Sequence, residues 1–134
     1  MDIREYSEQY QQEALSLYQD AGWTAYTADI EALRMGLAHS LCILTAFADG
    51  KLVGLIRAVG DGHTVVWIQD VLVRSDYRRK GIGKALVRAL CSEYSAVRQI
   101  MLASDETEEL IAFYTSLGFQ KFQRFGMVAY CKQR

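Results

Sequence analysis

Apolar positions recur along this chain with two different periods, and the switches between them mark the elements. A short strand near Asp2 to Tyr6 leads to Ser7, which with Glu8 and Gln9 forms a helix start. Ala14, Leu15, Leu17 and Tyr18 keep helical spacing until Asp20-Ala21-Gly22, where a glycine stop is expected. Trp23 to Thr27 reads as a short aromatic loop, and Ala28 to Ala38 as a second helix with Ile30, Leu33 and Leu37 on one face. The period then shortens. Leu41 to Ala48 and Leu52 to Val59 are strand-like runs joined by Asp49-Gly50, a strong hairpin signal. Gly60-Asp61-Gly62 turns the chain into a third strand, Thr64 to Val73.

Helical spacing returns at Ile82, Ala85, Leu86, Ala89 and Leu90. Ile100 to Ala103 is a short strand, and Glu106 to Leu117 a helix ended by Gly118. Phe119 to Phe125 and Met127 to Lys132 read as two closing strands around Gly126. The pattern predicts one α/β domain over residues 1–134, with a mixed, mostly antiparallel sheet of about seven strands and four helices.

Composition narrows the function classes. About half the residues are apolar and the formal net charge is -1, a globular balance without a general field for nucleic acid or an anionic membrane. No apolar run approaches the ~20 residues that span a bilayer. The charged opening Met1-Asp2-Ile3-Arg4-Glu5 lacks the apolar stretch of a signal peptide. Cys42, Cys91 and Cys131 are odd in number and far apart, and neither His39 nor His63 stands at ligand spacing. Core thiols in a reducing, cytoplasmic compartment are expected, with no metal.

The segment with the most chemistry runs from Val71 to Lys84. A strand ends, Arg78, Arg79 and Lys80 cluster, and Gly81 and Gly83 stand where the next helix begins, followed by Lys84. The first amides of a helix have no intrahelical acceptor, and the helix dipole adds positive potential there. Bare glycines let an anion touch the backbone, so the turn suits linked phosphates. A P-loop requires a longer loop and a hydroxyl that Gly83-Lys84-Ala85 lacks, and the third glycine of a dinucleotide fingerprint is replaced by Leu86.

Arg78-x-x-Gly81-x-Gly83, following a strand, resembles the pyrophosphate signature of the GNAT superfamily of acyl-CoA-dependent N-acetyltransferases. Phe113-Tyr114-x-x-x-Gly118-Phe119 resembles that family's second common motif, and the element order is similar from end to end. The resemblance implies acetyl-CoA as co-substrate. Its pyrophosphate would be held by the turn from Arg78 and Arg79 through Lys80, Gly81, Ile82 and Gly83 to Lys84, and its pantetheine arm by the backbone of Val71, Leu72 and Val73. It also implies strands that splay apart between the fourth and fifth. Two departures stand out: Ser75-Asp76 replaces a common proline, and Ser104-Asp105 stands where many members carry asparagine.

Acyl transfer to an amine must remove a proton from nitrogen and stabilise a departing thiolate. Tyr114, by its place in the motif, is the expected hydrogen-bond donor to the thiolate. Asp70 interrupts an apolar strand and is either the base, acting through water, or a structural acid paired with a cation such as Arg57. Strand alternation keeps Gln69 and Asp70 on opposite faces unless a bulge intervenes. A backbone N–H near Val71 is expected to polarise the carbonyl. Trp23 and Tyr26, on the loop that the resemblance places over the acceptor, either line that pocket or pack on the core; Arg57 and Tyr130 are further candidates there. Expected partners are a small-molecule or peptide amine, with no nucleic acid and no membrane. The closing strands pair across a homodimer or pack on their own core. An acetyl-CoA-binding regulatory module without turnover is the alternative function.

Overall fold

Asp49 and Gly50 both adopt left-handed backbone, φ 53° and 74°, the paired conformation that a two-residue hairpin needs to match the twist of its strands. They join β2 (Cys42–Ala48) to β3 (Lys51–Gly60) in a computed structural model that describes residues 1–134. Two units make up the chain, Met1–Ala103 and Ser104–Arg134.

In the first unit, β1 (Asp2–Glu5) pairs with β2, and β3 pairs with β4 (Val65–Val73), all antiparallel. β5 (Gln99–Leu102) pairs with β4 in parallel, so the sheet is mixed, in the order β1-β2-β3-β4-β5. The parallel ladder joins Val65–Ile68 to Gln99–Leu102 and stops there, while residues 69–73 of β4 continue beyond it.

A 3-10 turn (Glu8–Tyr10) precedes α1 (Gln11–Asp20). The aromatic stretch after it is helical rather than a loop: α2 (Thr24–Thr27) is a single turn, closed by the Ala28 N–H on the Thr24 carbonyl at 2.9 Å. α3 (Ile30–Ala38) starts after Asp29, whose carboxylate accepts from the Ala32 N–H. Leu15, Leu17 and Tyr18 of α1 and Leu33 and Leu37 of α3 pack with Ile43, Leu55 and Leu72 of the sheet as one core. α4 (Ile82–Glu93) covers Gly54. A Cβ at Gly54 would sit 2.9 Å from Ile82 Cγ2 and 3.3 Å from the Leu72 carbonyl, so only glycine lets α4 come this close.

The second unit holds α5 (Glu108–Ser116), capped by the Thr107 hydroxyl on the Leu110 N–H. The two closing strands expected from the sequence do not form. Phe122–Phe125 is a 3-10 turn ended by Gly126 at φ 73°, and residues 127–134 have no regular structure. The sheet therefore has five strands and the chain five helices, against the expected seven and four. Strand propensity is realised only beside a neighbouring strand, and this segment closes local bonds instead, such as the Met127 N–H to the Phe122 carbonyl at 3.1 Å. Cys131 is exposed here, not a core thiol.

Candidate functional site

The β3–β4 register shifts once, and the shift decides the site. Arg57 lies opposite Asp70 while Ala58 lies opposite Ile68, which leaves Gln69 as the extra residue of a β-bulge. Cross-strand partners share a face, and neighbours along β3 face opposite ways. Asp70 therefore turns to the face of Arg57 and Leu55, with α1 and α3, and Ile68 to the other. Gln69 reaches the same group as Asp70: its Nε2 donates to the Tyr26 hydroxyl at 3.1 Å. The condition under which the two neighbours act together is met.

Asp70 is only 2% exposed, and three donors converge on it. Arg57 Nε and the Tyr18 hydroxyl both donate to Oδ2 at 2.7 Å, and the Tyr26 hydroxyl donates to Oδ1 at 2.9 Å. Arg57 Nη2 donates to the Tyr26 oxygen at 3.3 Å, and Nη1 to Ser40 Oγ at 3.3 Å. A buried ion of either sign is costly alone, and here each charge neutralises the other. Arg57 is thus committed to Asp70. Burial, then the negative charge of Asp70, raises the Tyr18 hydroxyl well above its ordinary value. Burial is also the main cause of the rise at Tyr26. Both phenols keep their protons in the neutral range and remain donors to the carboxylate.

Tyr26 carries the network toward the surface. Its ring stacks on Trp23, centroids 6.0 Å apart and planes 25° apart, and meets Tyr18 edge-on at 5.2 Å. Trp23 is exposed and Tyr26 half-buried, so the pair forms an aromatic shelf above a buried charged anchor. Tyr18 is the member that helical periodicity assigns only to the core. A signal for its role existed: a buried phenol needs a hydrogen-bond partner, and Asp70 is the acid that interrupts the facing apolar strand.

Beyond β4 the chain passes through a 3-10 turn (Ser75–Tyr77) tied to the end of α1. The Ser75 N–H and hydroxyl both donate to the Asp20 carboxylate, at 2.8 and 3.0 Å, and the backbone bond is the chief reason that carboxyl is held below its usual range. Arg79 at φ 63° and Gly81 at φ 79° are both left-handed. The first bond into α4 runs from the Ala85 N–H to the Gly81 carbonyl, so the amides of Ile82, Gly83 and Lys84 have no acceptor within the helix. Left-handed residues alternating along such a turn draw successive N–H groups into an anion-binding concavity. Arg78, Arg79 and Lys80 are exposed around it and Lys84 half-buried. The Leu72 and Ile82 side chains lie in the core, leaving only their backbones for a ligand, while Val71 and Val73 are half-buried.

In the second unit, Tyr114 sits on α5 with Phe113 edge-on at 4.9 Å and Phe119 edge-on at 6.0 Å. Burial raises its phenol above the ordinary value, which keeps it protonated at neutral pH.

Residues 3–119 match the profile described as the Acetyltransferase (GNAT) family. The chain is similar to a GNAT-family acetyltransferase from Streptococcus pneumoniae TIGR4, 34% identical with a TM-score of 0.89, over 99% of this chain and 97% of that one. It is 26% identical to "Uncharacterized N-acetyltransferase ycf52" of Pyropia yezoensis, over 78% of this chain, and spans 62% of that relative's length. The fold is also that of AAC(6')-Iy in complex with the bisubstrate analog CoA-S-monomethyl-acetylneamine, at 21% identity and a TM-score of 0.76 over 99% of this chain and 97% of that one.

Proposed function

The chain belongs to the GNAT acetyltransferase family, and on that premise we propose that it transfers an acetyl group from acetyl-CoA to a primary amine of a small molecule, amino acid or peptide by direct attack. The observation that carries this reading is the turn before α4, where Arg79 and Gly81 are left-handed and the first helical amides are left without intrahelical acceptors among four cations. Those groups suit a pyrophosphate. The relative solved with a CoA conjugate supports the same co-substrate.

Residues Arg79 to Lys84 hold the pyrophosphate by their amides, with Arg78 contributing charge. The backbone of Val71, Leu72 and Val73 lies past the end of the β4–β5 ladder and holds the pantetheine arm as an added strand would be held. Acetyl-CoA supplies an activated acetyl group, whose C–S bond breaks as the acceptor's C–N bond forms. Trp23 and Tyr26 receive the acceptor. Asp70, positioned by Arg57 and Tyr26, takes up the amine proton through water. Tyr114, kept protonated by burial, donates a hydrogen bond to the departing thiolate.

Calorimetric titration of acetyl-CoA, followed by thiol release over a panel of amines, tests the reading. Binding that weakens at least about tenfold in Arg79→Glu/Lys84→Glu, with thiol release for some amine, is expected. Acetyl-CoA that does not bind, or binds the double variant equally well, overturns it. Tight binding with no release over the whole panel points instead to a sensor of acetyl-CoA.

A further inference from the structure

We propose that Asp20, at the end of α1, is the positioning residue of the phosphate turn: its carboxylate fixes Ser75 and so sets the backbone whose amides meet acetyl-CoA. The inference rests on the acetyl-CoA reading of that turn and deepens it.

The turn holds a conformation that its own residues do not favour. Arg79 carries a full side chain at φ 63°, and such backbone persists only where the surroundings over-determine it. The chain contains no proline, so no ring stiffens the approach to the turn. Stiffness comes from ties to other elements. The Arg74 N–H donates to the Val53 carbonyl at 2.8 Å, and the Tyr77 hydroxyl donates to Asp49 Oδ2 at 3.0 Å. Between them the Ser75 N–H and hydroxyl both donate to Asp20, at 2.8 and 3.0 Å. Two bonds to one ion make this the strongest of the three ties.

Asp20 is poorly placed for any other task. It is the last residue of α1, whose last turn has no basic residue. A carboxylate there meets the negative end of the helix dipole, and alanine would suit the helix better by charge and by propensity. After the Ser75 bonds, the charges of Arg74 and Arg78 also lower its carboxyl, so its own negative charge reaches the cations around the turn. That charge opposes an incoming phosphate. Neither helix stability nor attraction of the ligand accounts for this acid; the clamp on Ser75 does.

The backbone at Ser75 supplies a substitute for the clamp. Arg74, at φ -56° and ψ 138°, has the extended conformation of a residue before proline, and Ser75 opens a 3-10 turn, where φ falls near the proline value. Its N–H goes to Asp20, not to the backbone. A proline at this position would stiffen the same segment without a carboxylate.

Calorimetric titration of acetyl-CoA into the full chain and its variants tests the proposal. Asp20→Ala should weaken binding about three- to tenfold, with little change in melting temperature because the gain to α1 offsets the lost bonds. Removal of a negative charge acting through space alone would tighten binding, so the two explanations differ in sign. Ser75→Ala, which loses the hydroxyl bond and keeps the N–H, should fall between Asp20→Ala and the unaltered protein. Asp20→Ala/Ser75→Pro should return to within about twofold of the unaltered protein. Binding that is unchanged or tighter in Asp20→Ala overturns the inference and leaves the acetyl-CoA reading in place. A double variant as weak as Asp20→Ala overturns the stiffening role. An unaltered protein that takes up no acetyl-CoA overturns the reading on which the inference rests.

Discussion

Arg57 and Asp70 face each other across the β3–β4 ladder, with Nε 2.7 Å from Oδ2. They are the two charged side chains in a core otherwise built from apolar groups and Thr45. Removing one charge strands the other. Asp70→Asn should therefore cost about 3–5 kcal/mol of folding stability, read from urea unfolding. A loss below about 1 kcal/mol would mean that water reaches the Arg57 guanidinium.

Two glycines should fail for different reasons. Gly54→Ala drives a methyl into Ile82 and Leu86 and should cost about 1–3 kcal/mol. At Gly81 an added Cβ meets nothing within 4 Å, but φ is 79°, so Gly81→Ala should cost about 1–2 kcal/mol by backbone strain alone. The discriminating measurement is a third variant, Gly81→Asn. Asparagine tolerates left-handed backbone and should recover part of the loss, whereas no polar residue should rescue position 54.

Stability should decline on the alkaline side. Burial raises the thiols of Cys42 and Cys91 and the phenols of Tyr18 and Tyr26, and Tyr94 is pushed up to about 12, again chiefly by burial. The folded chain keeps these protons at pH values where the unfolded chain has lost them. Stability is thus unaffected below the unfolded values and falls as pH passes ~8.5 for thiols and ~10 for phenols. Thermal melts from neutral pH upward should show that fall, and Tyr18→Phe should flatten its steeper part. A melting temperature that rises in this range contradicts the assignment of burial as the cause.

Tyr114→Phe should lower kcat about 10-fold or more with little change in KM for acetyl-CoA, because the hydroxyl is invoked only for the departing thiolate. The ring remains between Phe113 and Phe119, so the melting temperature should barely move. Unchanged thiol release would remove Tyr114 from the chemistry.

Local chemistry is what the sequence makes legible. Asp49-Gly50 specifies its hairpin because few residues accept left-handed backbone, and Gly81 marks the start of α4 for the same reason. The spacing of Ile82, Leu86 and Leu90 gives the buried face of that helix, and the basic run before it marks the turn proposed to take the phosphates. Trp23 and Tyr26 stand out as aromatics in a short polar stretch, although the turn of helix they occupy is invisible because four residues carry no period.

Elements whose cause lies within a few residues are written in the chain itself: the hairpin, the helical stripes and the glycine turn. The rest depends on partners far along the chain, which only folding brings together. The bulge at Gln69 follows from how β3 and β4 align and lets Gln69 join Asp70 at Tyr26, while the packing of α1 and α2 on the sheet brings Asp70 to Tyr18, a residue 52 positions away, and to Tyr26. The closing segment shows the converse. Phe119 to Lys132 has the alternation of strands, but a strand exists only when another edge takes up its hydrogen bonds, and no local pattern records whether that edge is present.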